Sequence, residues 1–170
     1  MRPVTSIPGE DFSVEDVRGD FPPGITIQPL NHPVDAEIKI PGSKSVTNRA
    51  LIVAALADGA STIRNPLFSD DSYWLLNALT QLGFQIHANR SKAEVRITGQ
   101  SGIIPRQDVN VYVGNAGTVA RFLPPALALG KGPYRVDGVA RMRERPVDDL
   151  VGAMRQLGAS VDYEVDEGRF

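Results

Sequence analysis

Two stretches of this chain carry one pattern at one spacing, and that duplication constrains the fold more than any other feature. Gly42-Ser43-Lys44-Ser45 with Arg49 lines up with Gly114-Asn115-Ala116-Gly117 with Arg121, at a constant offset of 72 residues. Further along, Leu75-Leu76-Asn77-Ala78-Leu79-Thr80-Gln81-Leu82-Gly83 lines up with Leu150-Val151-Gly152-Ala153-Met154-Arg155-Gln156-Leu157-Gly158, now offset by 75. Two matches in the same order, with one short loop insertion between them, point to an internal repeat.

The elements of the first copy read as strand, helix, strand, helix, then two strands. Glu37-Ile38-Lys39-Ile40 alternates polar and apolar, as a half-buried strand does, and Pro41-Gly42 stops it. A helix is predicted from Ser43 or Lys44 to Leu56, ended by Asp58-Gly59, with a short strand at Ser61 to Arg64. Ser69-Asp70-Asp71 is an N-cap cluster for a helix through Tyr73, Leu76, Leu79 and Leu82, closed by Gly83. Strands over Gln85 to Ala88 and Ala93 to Thr98 follow, joined by a turn at Asn89-Arg90-Ser91.

In the second copy a strand over Val109 to Val113 feeds the next helix. Pro124-Pro125 falls inside that helix, removes hydrogen bonds and predicts a kink. Two helices per unit sharing one sheet face predict an α/β domain with its helices buried against the sheet. Residues 1–33, rich in proline and glycine, read as an irregular arm with one short strand at Ile25 to Gln28. Residues 34–170 then hold one domain of two repeats, the second incomplete, because Glu164 to Phe170 are too few for its closing strands.

Composition narrows the function classes. A chain of 170 residues with 42% hydrophobic content can build one ordinary core. A net charge of −2, no run of basic residues and 6% aromatics argue against nucleic-acid binding. The absence of cysteine excludes disulfides and thiolate metal sites and favours a reducing compartment. His32 and His87 each stand without a second ligand at metal spacing and read as surface residues. Met1 to Phe12 lacks the apolar run of a signal peptide, and Ala50 to Ala57 is far too short to span a membrane. A soluble cytoplasmic protein with no membrane partner is expected.

Three segments carry candidate chemistry. In Pro41-Gly42-Ser43-Lys44-Ser45-Val46-Thr47-Asn48-Arg49 a glycine turn enters a helix N-terminus, where free N–H groups and the helix dipole favour an anion. Lys44 adds a charge and Ser45 a donor, and Arg49 lies one turn beyond Ser45. The segment is no P-loop, since only one glycine precedes Lys44. Gly114-Asn115-Ala116-Gly117-Thr118-Val119-Ala120-Arg121 uses small residues that let a ligand approach the backbone, with Thr118 able to cap or donate. In Arg141-Met142-Arg143-Glu144-Arg145-Pro146 an extended backbone would set three arginines on one side, suited to carboxylate or phosphate. Pro146 also suits the first turn of the next helix. Each segment alone is equally compatible with an ordinary capped helix, a tight turn or a solvated basic loop paired with Glu144, Asp148 and Asp149.

Taken in order, Pro-Gly-Ser-Lys-Ser with Asn-Arg, then Gly-Asn-Ala-Gly-Thr, then Arg-Met-Arg-Glu-Arg-Pro resemble the EPSP synthase family over roughly Ile25 to Tyr163, and Ser69-Asp70-Asp71 fits as well. The resemblance implies two domains, each an inside-out α/β barrel of three βαβαββ units with helices inside and sheets outside. It implies transfer of the enolpyruvyl group of phosphoenolpyruvate to the 5-hydroxyl of shikimate 3-phosphate, through a tetrahedral intermediate that expels phosphate. By position, Lys44 would contact both substrates and act in catalysis. Ser45 and Arg49 would bind shikimate 3-phosphate, Gly117 and Arg145 phosphoenolpyruvate, with Asn115, Thr118 and Arg121 lining the same region. No metal or organic cofactor is implied, and full-length members are usually monomeric. The family's proton-handling carboxylate, further arginines and a Ser-Ser-Gln segment would lie beyond Phe170, in a second domain. The alternative is a catalytically incompetent anion-binding fragment or module.

Overall fold

The computed structural model describes residues 22–170, so the first part of the predicted arm, including Met1 to Phe12, lies outside the described residues. Helix α1 (Lys44–Leu56) leads into strand β1 (Asp58–Arg64), helix α2 (Asp70–Gln81) and the hairpin β2 (Gln85–Asn89) and β3 (Glu94–Gln100). Strand β4 (Val109–Tyr112), helix α3 (Gly117–Leu127), strand β5 (Tyr134–Asp137), the single turn α4 (Ala140–Arg143) and helix α5 (Asp148–Gln156) follow. β1, β3 and β2 form an antiparallel sheet in that order, with Ile63 opposite Val95 and Ile86 opposite Ile97. β4 and β5 pair in parallel, with Val111 opposite Val136.

Helix α2 occupies the centre. Ser72 to Leu79 are all buried, and Leu75, Leu76 and Ala78 have no exposed surface. Its largely apolar middle, with Ser72 and Asn77 as the buried polar exceptions, places it in the core. α1 and α3 pack on it from the helical layer, β2 from one sheet and β4 from the other. Alternation in β2 and β3 turns Ile86, Ala88, Val95 and Ile97 inward while Gln85, His87 and Arg96 face out. The expectation of helices buried against sheets holds, and no helix among the described residues is long and apolar enough to cross a membrane. Both histidines are exposed, as expected.

Several boundaries differ from the sequence reading. Glu37 to Ile40 and Ile25 to Gln28 form no strand: both are exposed, with Ile38 78% and Ile40 71% accessible. Alternation suits a strand only where a neighbouring ladder accepts it, and none pairs with these residues among those described. Their counterpart β4 does form, because β5 lies beside it. Asp58-Gly59, predicted to end α1, instead opens β1, and the helix ends at Leu56 with Ala57 as its cap. Helix α3 runs through Pro124 and Pro125 to Leu127 without interruption. Pro146 is not in the first turn of α5, which starts at Asp148; Pro146 instead bridges Arg169, while Val147 donates to the Gly168 carbonyl.

Ser69 fixes the start of α2 through a reciprocal pair with Ser72: each side chain bonds the other residue's backbone N–H. Ser69→Ala should lower stability by about 1 kcal/mol, read as a fall in the urea midpoint at unchanged slope.

Candidate active site

Three helix N-termini meet at one open cleft of about 500 Å³. α1 contributes Lys44, α2 contributes Asp70 and Asp71, and α3 contributes Gly117 and Thr118. Asn115 from the preceding turn, Arg121 and Phe122 from α3 and Arg145 from the loop after α4 complete the wall. Neither α1 nor α3 has a side-chain cap or an acidic residue in its first turn. Their amide ends therefore keep their positive character for a ligand. α2 differs, since its own capping box and two carboxylates offset its dipole.

Lys44 Nζ donates to Asp71 Oδ1 at 3.2 Å, and Thr118 Oγ1 donates to Asp71 Oδ2 at 2.7 Å. Thr118 in turn accepts from Asn48 Nδ2 at 2.7 Å. Asp70 Oδ1 accepts the Trp74 indole N–H at 3.1 Å. The cations Lys44, Arg121 and Arg145 thus face two carboxylates that already have partners, so the cleft retains an excess of positive character suited to anions.

Arg145 Nη2 donates to Asn115 Oδ1 at 2.9 Å, tying the third motif to the second. Gly117 makes this possible, because a Cβ there would fall inside contact distance of Arg145 Nη1. Gly114 has a different role from the ligand approach expected of it. Its φ is +57°, and the space a side chain would take is filled by the indole of Trp74.

The structure brings six of the eight sequence-predicted site residues to the cleft wall: Lys44, Asn115, Gly117, Thr118, Arg121 and Arg145. Ser45 and Arg49 are not on that wall. Arg49 is exposed, with its guanidinium 5.4 Å from the ring centre of Phe122, which is. The three arginines of the third motif do not share a side. A helical turn buries Met142, pairs Arg141 with Glu144, and sends Arg143 to Asp137, because the backbone is coiled there rather than extended. Asp71, Asn48 and Phe122 escaped the sequence reading as site residues. Asp71 was visible as part of a helix cap and of a segment that fits the family resemblance, but nothing local links it to a lysine 27 positions away.

Arg143 meets Asp137 through two bonds of 2.8 and 2.7 Å and so anchors the turn that delivers Arg145. The Arg143 guanidinium holds the Asp137 carboxyl below the usual carboxylate range; burial opposes this and the Gly138 N–H assists it. The backbone of Arg145 is pinned from the other side, its carbonyl accepting from Phe170 N–H while Arg169 bonds the Glu144 carbonyl.

A family model described as EPSP synthase (3-phosphoshikimate 1-carboxyvinyltransferase) matches residues 30–169. The chain is 50% identical over 144 residues to the 3-phosphoshikimate 1-carboxyvinyltransferase of Trichormus variabilis, covering 85% of this chain and 34% of the relative. It is 47% identical over 131 residues to that of Paraburkholderia phymatum, covering 77% and 30%. Among solved structures it resembles EPSP synthase from Acinetobacter baumannii, with a TM-score of 0.72 at 27% identity, covering 78% of this chain and 30% of that one. The chain therefore spans about a third of the length of these relatives.

Two variants test the site's construction. Because the Asp137 pKa is lowered on folding, the pair's stabilisation is present above the unfolded carboxylate value of about 3.9 and is lost as pH falls through the lower folded value. Arg143→Ala should be less stable than the parent at pH 7, with the gap in urea midpoint closing in acid. Gly117→Ala should break the Arg145–Asn115 hydrogen bond, which a crystal structure of the variant would display as a displaced guanidinium.

Proposed function

The chain belongs to the EPSP synthase family, and from that premise we propose that it supplies the anion-binding half of a cleft in which an enolpyruvyl group passes from phosphoenolpyruvate to shikimate 3-phosphate. One observation above all supports this reading. Two uncapped helix ends and three cations surround a cleft large enough for small dense anions. Lys44 contacts both substrates, Gly117 and Arg145 border phosphoenolpyruvate, and Ser45 with Arg49 serves shikimate 3-phosphate along the first turns of α1. Asn115, Thr118 and Arg121 complete the lining.

In the reaction the 5-hydroxyl of shikimate 3-phosphate adds to C2 of phosphoenolpyruvate, and the tetrahedral adduct then loses phosphate to leave the enol ether. Negative charge sits on both substrates and on the departing phosphate. Fixed cations and helix amides hold it without reorganising, an effect commonly worth several kcal/mol. The remaining groups of the two-domain cleft, the proton-handling carboxylate among them, belong to the second domain.

Titration calorimetry with shikimate 3-phosphate and phosphoenolpyruvate tests the assignment. The chain should bind at least one of them saturably, and Lys44→Ala should weaken that binding by tenfold or more, about 1.4 kcal/mol. Binding unchanged in Lys44→Ala would remove the lysine from the site and the reading with it.

A further inference from the structure

Asn48 is buried completely between α1 and α3, yet one of its polar atoms has no partner. The bonds around it explain why. Asp71 as a carboxylate only accepts and Lys44 only donates. Thr118 has one hydroxyl proton, and its Oγ1 lies 2.7 Å from Asp71 Oδ2, so that proton goes to Asp71. The same oxygen lies 2.7 Å from the Asn48 amide and has only acceptor capacity left for it. Asn48 must therefore present Nδ2 to Thr118, which turns Oδ1 into the core, where it remains without a hydrogen bond. Donation runs in one direction, from Asn48 to Thr118 to Asp71, and Lys44 closes the chain by donating to the other carboxylate oxygen.

An amide buried with its oxygen unpaired costs stability that an apolar side chain of similar volume would not. Its return lies elsewhere. Lys44 has a flexible stem and a half-exposed side chain, whereas the Asp71 side chain is 14% exposed. Asp71 is the acceptor that gives the ammonium a fixed position at the cleft, and Thr118 is the donor that gives Asp71 its own.

We infer that Asn48 is a positioning residue: its amide N–H holds the Thr118 oxygen where the hydroxyl reaches Asp71, and through Asp71 it places the Lys44 ammonium for an anionic substrate. The inference rests on the anion-cleft reading above. The three helices are joined by it at their N-terminal ends, so the relay also holds α1, α2 and α3 in register around the cleft.

The test uses the full chain with three readouts: the urea midpoint, the order of the Lys44 side chain by NMR relaxation without ligand, and affinity for phosphoenolpyruvate. Asn48→Leu should keep or raise the midpoint, since the unpaired oxygen is gone. Lys44 should nonetheless lose order, and affinity should fall about tenfold, the scale on which losing an outer partner of a charged site acts. Thr118→Val should reproduce the loss of Lys44 order, Thr118→Ser should keep that order, and by the same readout the double variant Asn48→Leu/Thr118→Val should be no worse than either single one. A folded Asn48→Leu chain with parental Lys44 order and affinity would overturn the inference, as would additive losses in the double variant. Where Leu proves too bulky to fold, Asn48→Ala removes the donor without added volume, and Lys44 order and affinity decide. A parent chain that binds no phosphoenolpyruvate would defeat the cleft reading, and Lys44 order would then decide the relay alone.

Discussion

Burial of α2 on every side is the constraint around which the rest is arranged. A helix without a solvent face has to satisfy its polar side chains locally, and it does. Ser72 closes the capping box, Asn77 accepts from Gln81, and Trp74 donates to Asp70 while its ring meets Tyr73 and Tyr112 edge-on. Both sheets and both neighbouring helices then take their places against it. Its capped N-terminus lies where the cleft opens. The most buried element of the fold thereby sets the position of Asp71, and Asp71 sets that of Lys44.

The electrostatics follow from which helix ends are capped. α2 carries its own carboxylates and capping serines, so its dipole is answered within the protein. α1 and α3 have no such answer, and their ends face the same space. The two helix starts that match in sequence are used unequally. Arg121 lies on the cleft wall, while Arg49, its counterpart 72 residues earlier, rests on Phe122. Arg145 reaches in from outside the helical layer, on a turn held by the Asp137–Arg143 pair and by the last two residues of the chain.

Local chemistry made a good part of this legible in the sequence. The starts of α1 and α2, the close of α2 at Gly83 and the β2–β3 hairpin all rest on interactions within a few residues: capping, periodicity and turn geometry. The positive character of the site was readable for the same reason, because glycine turns entering helices beside Lys44 and Arg121 carry their chemistry with them. The Ser45 and Arg49 assignments rest on spacing, and one helical turn does not say which way a side chain leans: the Arg49 guanidinium lies over Phe122.

What the tertiary structure alone decided are the relations between distant segments. Whether Glu37 to Ile40 becomes a strand depends on a neighbouring ladder, and alternation cannot supply one. Whether three alternate arginines share a side depends on a turn that Met142 forces by entering the core. The Asn48–Thr118–Asp71–Lys44 chain spans three helices and separations of up to 70 residues. The sequence determined that this chain could build helix ends that hold an anion. Packing determined that the starts of α1 and α3 meet beside the capped end of α2, because the three helices pack on one another in a single core.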